Sequence, residues 1–434
     1  MSDAPVEESI LDLLIIGGGA SGMAAAIAFQ KYYSEVTGKK AQVLILEKND
    51  RVGKKILASG NGRCNLSNQD MKINHFHSQN RSFPQEVLDR ITPTFVLSFL
   101  ENLGIPTVNE GPKIFPMSKT SSSVVDAFRF ALDDYEIHVE YDTSVAKIQR
   151  EEKSFRVICA DSACYLARFV IVACGGACAP TLGTTGDGYR WLHDLGHKVY
   201  APKPSIVQLV TDNSVTKALS GLKLDADVSL SSNDMLLAHQ YGEVLFTDYG
   251  LSGPAVLQIS GVVSRYTVKK QLTVPMTISL KLFDEMELQK IREEIGKRIS
   301  LFGQRTLDQL LLGILPAKIG NMLLKTALQR PLSILISTLS NEDIEKIVRT
   351  LKAWKFTVLG TKSLEHAQTT IGGADTSEFS FETMQSNLVP GLYACGEVLD
   401  VDGDCGGYNL TWAFSSGILA GRSVAIEAGS QDAD

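Results

Sequence analysis

The chain has 434 residues, 44% hydrophobic and 21% charged, with a formal charge of −7 and seven cysteines. That length exceeds one ordinary core and sets an expectation of two or three domains. The negative balance without a long basic run weighs against a broad phosphate-backbone surface; seven cysteines without a CxxC pair imply neither a disulfide framework nor a zinc site, and suit a reducing cytoplasm.

In chain order, the acidic MSDAPVEES lacks the basic region of a signal peptide. The apolar stretch behind it is interrupted by Asp12 and glycines and is not expected to span a membrane. From Leu11 to Gly22 the chain reads LDLLIIGGGASG, with GxGxxG spacing at Gly17, Gly19 and Gly22 and a small-residue helical pattern after it. A buried strand, this turn and a helix form the dinucleotide-binding fingerprint. Its glycines permit a tight turn and close backbone approach to a pyrophosphate, and the helix start offers free N–H groups. The strand-like VLILE ends on Glu47, a carboxylate placed to hold a ribose hydroxyl. A polar, glycine-rich stretch from Arg51 to Asn68 follows, too long for a tight turn. His75 and His77 form an HxH pair without further ligand spacing, which reads as a surface loop rather than a metal site.

Helical patterns are expected at Pro84 to Leu103 and Ser121 to Leu132, the second opened by a serine cluster suited to N-capping. EIHVEYDTSVAKIQ, FRVICAD and YLARFVIVACGG read as strands. From Lys203 the texture changes: SIVQLVTD, LDADVSLSS, MLLAHQYGEVLF, AVLQIS and QLTVPMTISLKLF suggest short strands of an all-β module. MELQKIREEIGKRI, LDQLLLGIL, KIGNMLLKTAL and NEDIEKIVRTLKAW then suggest three or four amphipathic helices, the last capped by Ser340. FTVLG resumes strand texture, and GLYACGEV runs into a glycine-rich loop and a small-residue helix.

Four segments together are more specific than any one: GKKILASGNGRCNLSN, TLGTTGDGYRWLHDLGH, LFTDYGLSGPAVLQIS and GLYACGEVLDVDGDCGGYNLTWAFSSGILAG. In that order behind GGGASG, the chain resembles the BaiN/YhiN-like flavoproteins, the aminoacetone-oxidase-family FAD-binding enzymes, over essentially its whole length. The resemblance implies an α/β fold: a glutathione-reductase-type, Rossmann-like FAD-binding domain with an inserted β-domain carrying a small helical bundle. The expected division is 1–203 with 357–434 for FAD, 204–283 plus about 352–356 for the β-domain, and 284–351 for the helices.

By the same resemblance, Gly17, Gly19, Ala20, Ser21 and Gly22 would cradle the FAD pyrophosphate, and Glu47 would bind the adenosine ribose. Lys48 and Arg51 would lie near the ribose or phosphates, and Gly62, Arg63, Cys64 and Asn65 near the flavin end. Val145 would hold adenine through its backbone, and Gly175 and Gly176 would let the chain turn under the cofactor. Gly396 and Glu397 of the ACGE motif would meet ribitol or phosphate. Gly407, Tyr408, Asn409 and Leu410 would start a helix facing the flavin pyrimidine ring, where a helix N-terminus stabilises negative charge. Two departures stand out: Asp248 occupies a position where the family often has histidine, and the TxGGV segment reads TTIGGAD, Thr370 to Asp375.

Catalytic candidates each carry a plainer alternative. Arg63 has an electrostatic use near flavin or an acidic substrate, or forms a loop salt bridge. Tyr408 donates a proton or stacks on the ring; His366 reaches substrate or is structural; Cys405 is redox-active or a packed thiol. The resemblance implies hydride transfer at flavin N5, with NAD(P)H-dependent reduction of an activated C=C as the leading reaction. An amine or aminoketone oxidase, a flavin-binding RNA-modifying protein and a non-catalytic flavin sensor are the alternatives. No second GxGxxG follows a strand, so NAD(P)H would bind transiently rather than in its own domain. The expected partner is a small-molecule substrate, without membrane and with nucleic acid disfavoured by charge.

Overall fold

The computed structural model describes residues 10–268 and 271–432, and the acidic segment 1–9 lies outside the described residues. Strand Leu11–Ile16 is buried over its last four residues, as an apolar run must be when a parallel sheet is covered on both faces. It pairs in parallel with Val43–Leu46 on one side and Cys164–Val172 on the other. His138–Glu140 extends the sheet beyond Val43–Leu46, and Leu392–Ala394 joins Val170 to Val172 in parallel. The last seventh of the chain is thereby built into the sheet that the N-terminal strand begins. The first half of Cys164–Val172 instead pairs antiparallel with Phe155–Cys159, which pairs with Val145–Arg150 to complete a seven-stranded sheet.

Two helices meet beside this sheet at unusually short range. On Gly417 of helix Tyr408–Gln431 a Cβ would stand 2.3 Å from the Ser21 carbonyl oxygen, and on Gly421 it would stand 2.1 Å from that of Ala25. Ser21 and Ala25 lie on the fingerprint helix Ala20–Thr37. Glycine alone allows backbones to approach so closely, which is why both helices are rich in small residues and buried on several sides. The two apolar cores are separate: one lies around this sheet, the other in the segment from Leu209 to Val358.

The chain divides into Met1–Lys203 with Gln368–Asp434, and Pro204–Ala367. In the second unit, Leu209–Thr211, Gly250–Ser252, Met235–Phe246, Lys223–Ser232, Met276–Lys281 and Trp354–Thr361 close a barrel. Helices Glu285–Phe302, Ala317–Leu328 and Asn341–Lys352 are inserted between its last two strands in sequence. The chain leaves this unit later than the texture-based 357, because Trp354–Thr361 is hydrogen-bonded to Met276–Lys281 on one edge and Leu209–Thr211 on the other.

Several local expectations need correction. AVLQIS is part of helix Pro254–Arg265, not a strand. Pro254 sits in its first turn after Gly253, and Ala255, Val256, Ile259 and Val263 recur on one buried face, so helical packing overrides β-branched propensity. LDQLLLGIL gives only the short 3₁₀ turn Leu307–Gln309. The serine cluster does not cap helix Ser121–Asp134: Thr120 is its N-cap without a side-chain bond, and the Ser121 hydroxyl donates to the Leu57 carbonyl. Ser340 does cap helix Asn341–Lys352, in a reciprocal box with Asp343. No helix among the described residues is long and apolar enough to cross a membrane.

Candidate functional site

The fingerprint turn explains its glycines one by one. Gly17 has φ +111°, and a Cβ there would stand 2.7 Å from the Ala173 carbonyl oxygen. A Cβ on Gly22 would lie 1.9 Å from the Gly17 carbonyl oxygen, so strand and helix can close only with glycine. Gly19 is different: its φ of −82° suits any residue, and nothing lies within 4 Å of where its Cβ would be. As N-cap it supplies no side chain, and no acidic residue stands in the first turn of the helix. The positive end of the helix therefore faces open space, a fitting place for a phosphate group.

Glu47 is buried at the end of the next strand. One carboxylate oxygen accepts the Gly18 N–H at 2.8 Å, and the other accepts the Asn49 N–H at 2.9 Å and its side-chain amide at 2.6 Å. Glu47, Lys48, Val145, Cys174, Gly183 and Trp191 line one cleft together with Gly17. Lys48 donates to Thr185 at 2.6 Å and pairs with Asp187 at 3.2 Å on the rim of this cleft. Arg51 points away, exposed, with Asp50 as its partner at 3.6 Å.

Glu397 lies where Gly396–Val398 forms a short 3₁₀ turn after strand Leu392–Ala394. It accepts from Lys55 Nζ at 2.5 Å, from the Thr370 N–H at 2.7 Å and from the Cys178 thiol at 3.4 Å. Burial alone pushes the Glu397 carboxyl up; the Lys55 ammonium and the Thr370 N–H reverse this and hold it below the usual carboxylate range. Burial likewise works against the Lys55 charge, and Glu397 more than restores it. Gly176 gives the pair room, since its Cβ would stand 2.4 Å from the Thr370 hydroxyl and 3.0 Å from Glu397 Cδ. Gly175, at φ +75°, packs under Thr184. Sequence reading does not single out Lys55; its place in GKKILASGNGRCN, one helical turn ahead of the glycine-rich loop, is the available signal. Lys55→Met is expected to destabilise the protein by about 2 kcal/mol, below the usual cost of a broken buried pair because both side chains are partly exposed, 30% and 17%. A Lys55→Met/Glu397→Gln double variant is expected to recover most of it, as thermal melts of all three proteins will read out.

The loop after Lys55 brings Gly62, Arg63, Cys64 and Asn65 to the same unit. Gly62 has φ +81° with open space around it. Arg63 binds Glu110 at 2.5 Å and lies 4.4 Å over the Phe115 ring, so its guanidinium is occupied by the paired strands Thr107–Glu110 and Lys113–Pro116. Burial pushes the Cys64 thiol up to about 11, which keeps it an inert packed group. Asn65 carries a buried side-chain oxygen without a hydrogen-bond partner. An orphaned acceptor in a glycine-rich loop fits a ligand group that supplies the missing donor.

Helix Tyr408–Gln431 starts at Gly407, φ +101°, again with neither a side-chain cap nor an acidic first turn. Asn409 clips the preceding loop by accepting the Gly403 N–H and donating to the carbonyls of Gly403 and Asp404, while Leu410 is half-buried beside it. The HxH pair is no free surface loop. His75 Nδ1 and His77 Nε2 each stand 2.9 Å from a different oxygen of Asp404, because the short strands Phe76–His77 and Asp402–Gly403 are paired. The histidines hold a carboxylate, and no group of side chains among the described residues is arranged to hold a metal. Burial pushes the half-buried Cys405 thiol up, and no cysteine among the described residues is in a disulfide. His366 and Asp248 belong to the second unit. His366 is exposed in a short turn with Ser363 as partner at 3.2 Å, and Asp248 is exposed in the turn between two barrel strands.

The glycine turn with its acid, two uncapped helix starts and the shared sheet define the class: a Rossmann-type FAD-dependent oxidoreductase. The chain belongs to the HI0933-like protein Rossmann domain family, which matches residues 11–423. Among its relatives, the 3-dehydro-bile acid delta(4,6)-reductase of Clostridium scindens is 35% identical over 95% of this chain and 98% of the relative. The ribosomal RNA dihydrouridine synthase of Haemophilus influenzae is 31% identical, again over 95% and 98%. The 3-ketosteroid delta1-dehydrogenase of Sterolibacterium denitrificans shares the fold at a TM-score of 0.50, with 13% identity over 96% of this chain and all of the other.

Proposed function

We propose that the protein reduces a carbon–carbon double bond conjugated to a carbonyl group, with NAD(P)H as the source of electrons for its FAD. The observation that carries this is the near full-length similarity to a protein named as a bile acid delta(4,6)-reductase. The second relative's product, dihydrouridine, also arises by saturating a double bond conjugated to a carbonyl. Two differently named relatives thus share one type of reacting bond, and the substrate differs.

FAD, when bound, supplies hydride-transfer chemistry. The chain's own residues hold and orient it. In this reading Gly17, Gly19, Ala20, Ser21 and Gly22 carry the pyrophosphate, Glu47 the ribose, and Val145 the adenine. Glu397, fixed by Lys55 and the Thr370 N–H, stands beside Gly175, Gly176 and Gly396 along the cofactor. Gly62 and Asn65 line the flavin end, and the start of helix Tyr408–Gln431 favours negative charge on the ring. The division into an FAD-binding part, a barrel and a helical insert belongs to the same reading, as does a cytoplasmic setting.

A second reading, in which the double bond belongs to a uridine within RNA, is supported by the relatives at 31% and 28% identity. The net charge of −7 favours a free small molecule over a polyanion. Anaerobic titration of the yellow holoprotein with NADH and then NADPH tests the proposal. Rapid bleaching, reversed by a 3-oxo-4-ene steroid but not by a uridine-containing RNA oligomer, is the expected result. Reversal by the RNA alone selects the second reading. A flavin that dithionite reduces and neither nicotinamide does overturns the reductase.

A further inference from the structure

Four tyrosines of the first unit are nearly fully buried, and three of them have partners for their hydroxyls. Tyr33 donates to Asp432 at 2.6 Å, Tyr393 to Glu427 at 2.5 Å and Tyr189 to the Glu397 carbonyl at 3.5 Å. Tyr408 is 4% exposed, and its hydroxyl has no hydrogen-bond partner among the described residues. Its oxygen is also absent from the atoms sealed away without a partner, so the hydroxyl is the end of this buried side chain that a ligand or solvent can touch. A buried tyrosine normally bonds its hydroxyl within the protein, and one held rigidly with its hydroxyl accessible and unpartnered is placed to meet a ligand.

The ring is held with care for a group that bonds to nothing. His75 stacks on it at 4.5 Å and 19°, and Phe76 meets it edge-on at 5.8 Å and 89°. His75 is itself fixed by Asp404 at 2.9 Å and Asp70 at 3.4 Å. Glycines leave the space: a Cβ on Gly403 would stand 2.7 Å from Tyr408 Cβ, and one on Gly406 would stand 3.3 Å from the ring. The DGDCGGYN motif is thus largely spent on placing one phenol at the start of a helix. Burial, with Asp70 and Asp404 nearby, keeps that phenol protonated up to about 12, so it is a donor at neutral pH.

We propose that the Tyr408 hydroxyl is the hydrogen-bond and proton donor to the carbonyl oxygen of a conjugated substrate; this rests on the reductase reading above. As hydride from the two-electron reductant forms a C–H bond at the β-carbon, the π-electron pair shifts toward the carbonyl oxygen. The Tyr408 O–H bond breaks and its proton goes to that oxygen, giving an enol. The enol becomes the saturated ketone by proton exchange with solvent, which also restores the phenol. His75 and Asp404 are positioning residues that keep the ring in place.

The test compares wild-type holoprotein with Tyr408→Phe, which keeps both ring contacts and removes only the hydroxyl. The probe is a 3-oxo-4-ene steroid added to the oxidised protein, where it binds without reacting, with the C=O stretch followed by infrared difference spectroscopy. The wild type is expected to shift this stretch to lower frequency, and the variant is expected to lose the shift and bind about tenfold more weakly. Reoxidation of the reduced flavin by the steroid should slow about 10²-fold, far more than reduction by NAD(P)H slows. A variant that keeps both the shifted stretch and the wild-type reoxidation rate overturns the donor role alone. A wild type that neither binds the steroid nor is reoxidised by it overturns the substrate class, and the donor role with it.

Discussion

Gly421→Ala will separate two helices that only glycine allows to touch. The added Cβ would stand 2.1 Å from the Ala25 carbonyl oxygen and 2.9 Å from its carbon, and backbone atoms cannot rotate aside. Alanine gains about 1 kcal/mol over glycine in a helix interior, and overpacking of this kind costs about 3 kcal/mol, so the clash decides the sign. A net loss of about 2 kcal/mol is expected, seen as a fall of roughly 3 °C in melting temperature. Because Ser21 to Ala25 open the fingerprint helix, displacing them should also lower the flavin content of the purified protein. Gly429→Ala is the control within the same helix. Its nearest neighbours are side-chain atoms, Val36 Cγ1 at 2.9 Å and Thr37 Cγ2 at 3.2 Å, and Val36 is largely exposed and free to turn. That variant should melt at or near the wild-type temperature. Equal losses in both variants would show that the close helix contact does not limit stability.

The converse effect is expected at Gly19. Nothing in the protein requires glycine there: the backbone is extended, and the space beyond the Cβ is open. Gly19→Val should therefore leave the melting temperature of the cofactor-free protein within about 0.5 kcal/mol of wild type in stability terms. FAD binding should nevertheless weaken by about 10²-fold or more, because the side chain fills the space in front of the uncapped helix start. Fluorescence titration of the apoprotein with FAD reads this directly. Unchanged affinity would mean that the pyrophosphate lies elsewhere. The Gly421 and Gly19 variants together separate a glycine kept for packing from one kept for a ligand, though both belong to the same helix pair.

What the sequence makes legible here is local. An apolar strand, a glycine turn and a small-residue helix are encoded within a dozen residues, and Glu47 closes the next strand at the expected distance. The capping box at Ser340 is equally local, as Ser340 and Asp343 are three residues apart. Where sequence reading failed, two states shared one local pattern. AVLQIS suits a buried strand or a buried helix equally, and only the barrel wall beside it selects the helix. The return from the second unit falls later than texture predicts, because a strand's extent depends on the length of its neighbours.

Long-range pairing accounts for the rest. Lys55 and Glu397 are 342 positions apart, and His77 and Asp404 are 327 apart, so neither pair has a sequence spacing to recognise. The contact of Gly417 and Gly421 with Ser21 and Ala25 has the same character. Local sequence is enough to specify the class of cofactor, through a turn whose geometry glycine alone permits at Gly17 and Gly22. Only the assembled fold sets which charged groups are neutralised, which glycines serve packing, and that the buried Tyr408 hydroxyl has no partner among the described residues. These depend on atoms brought together from opposite ends of the chain, where burial raises the cost of any polar group left without a partner.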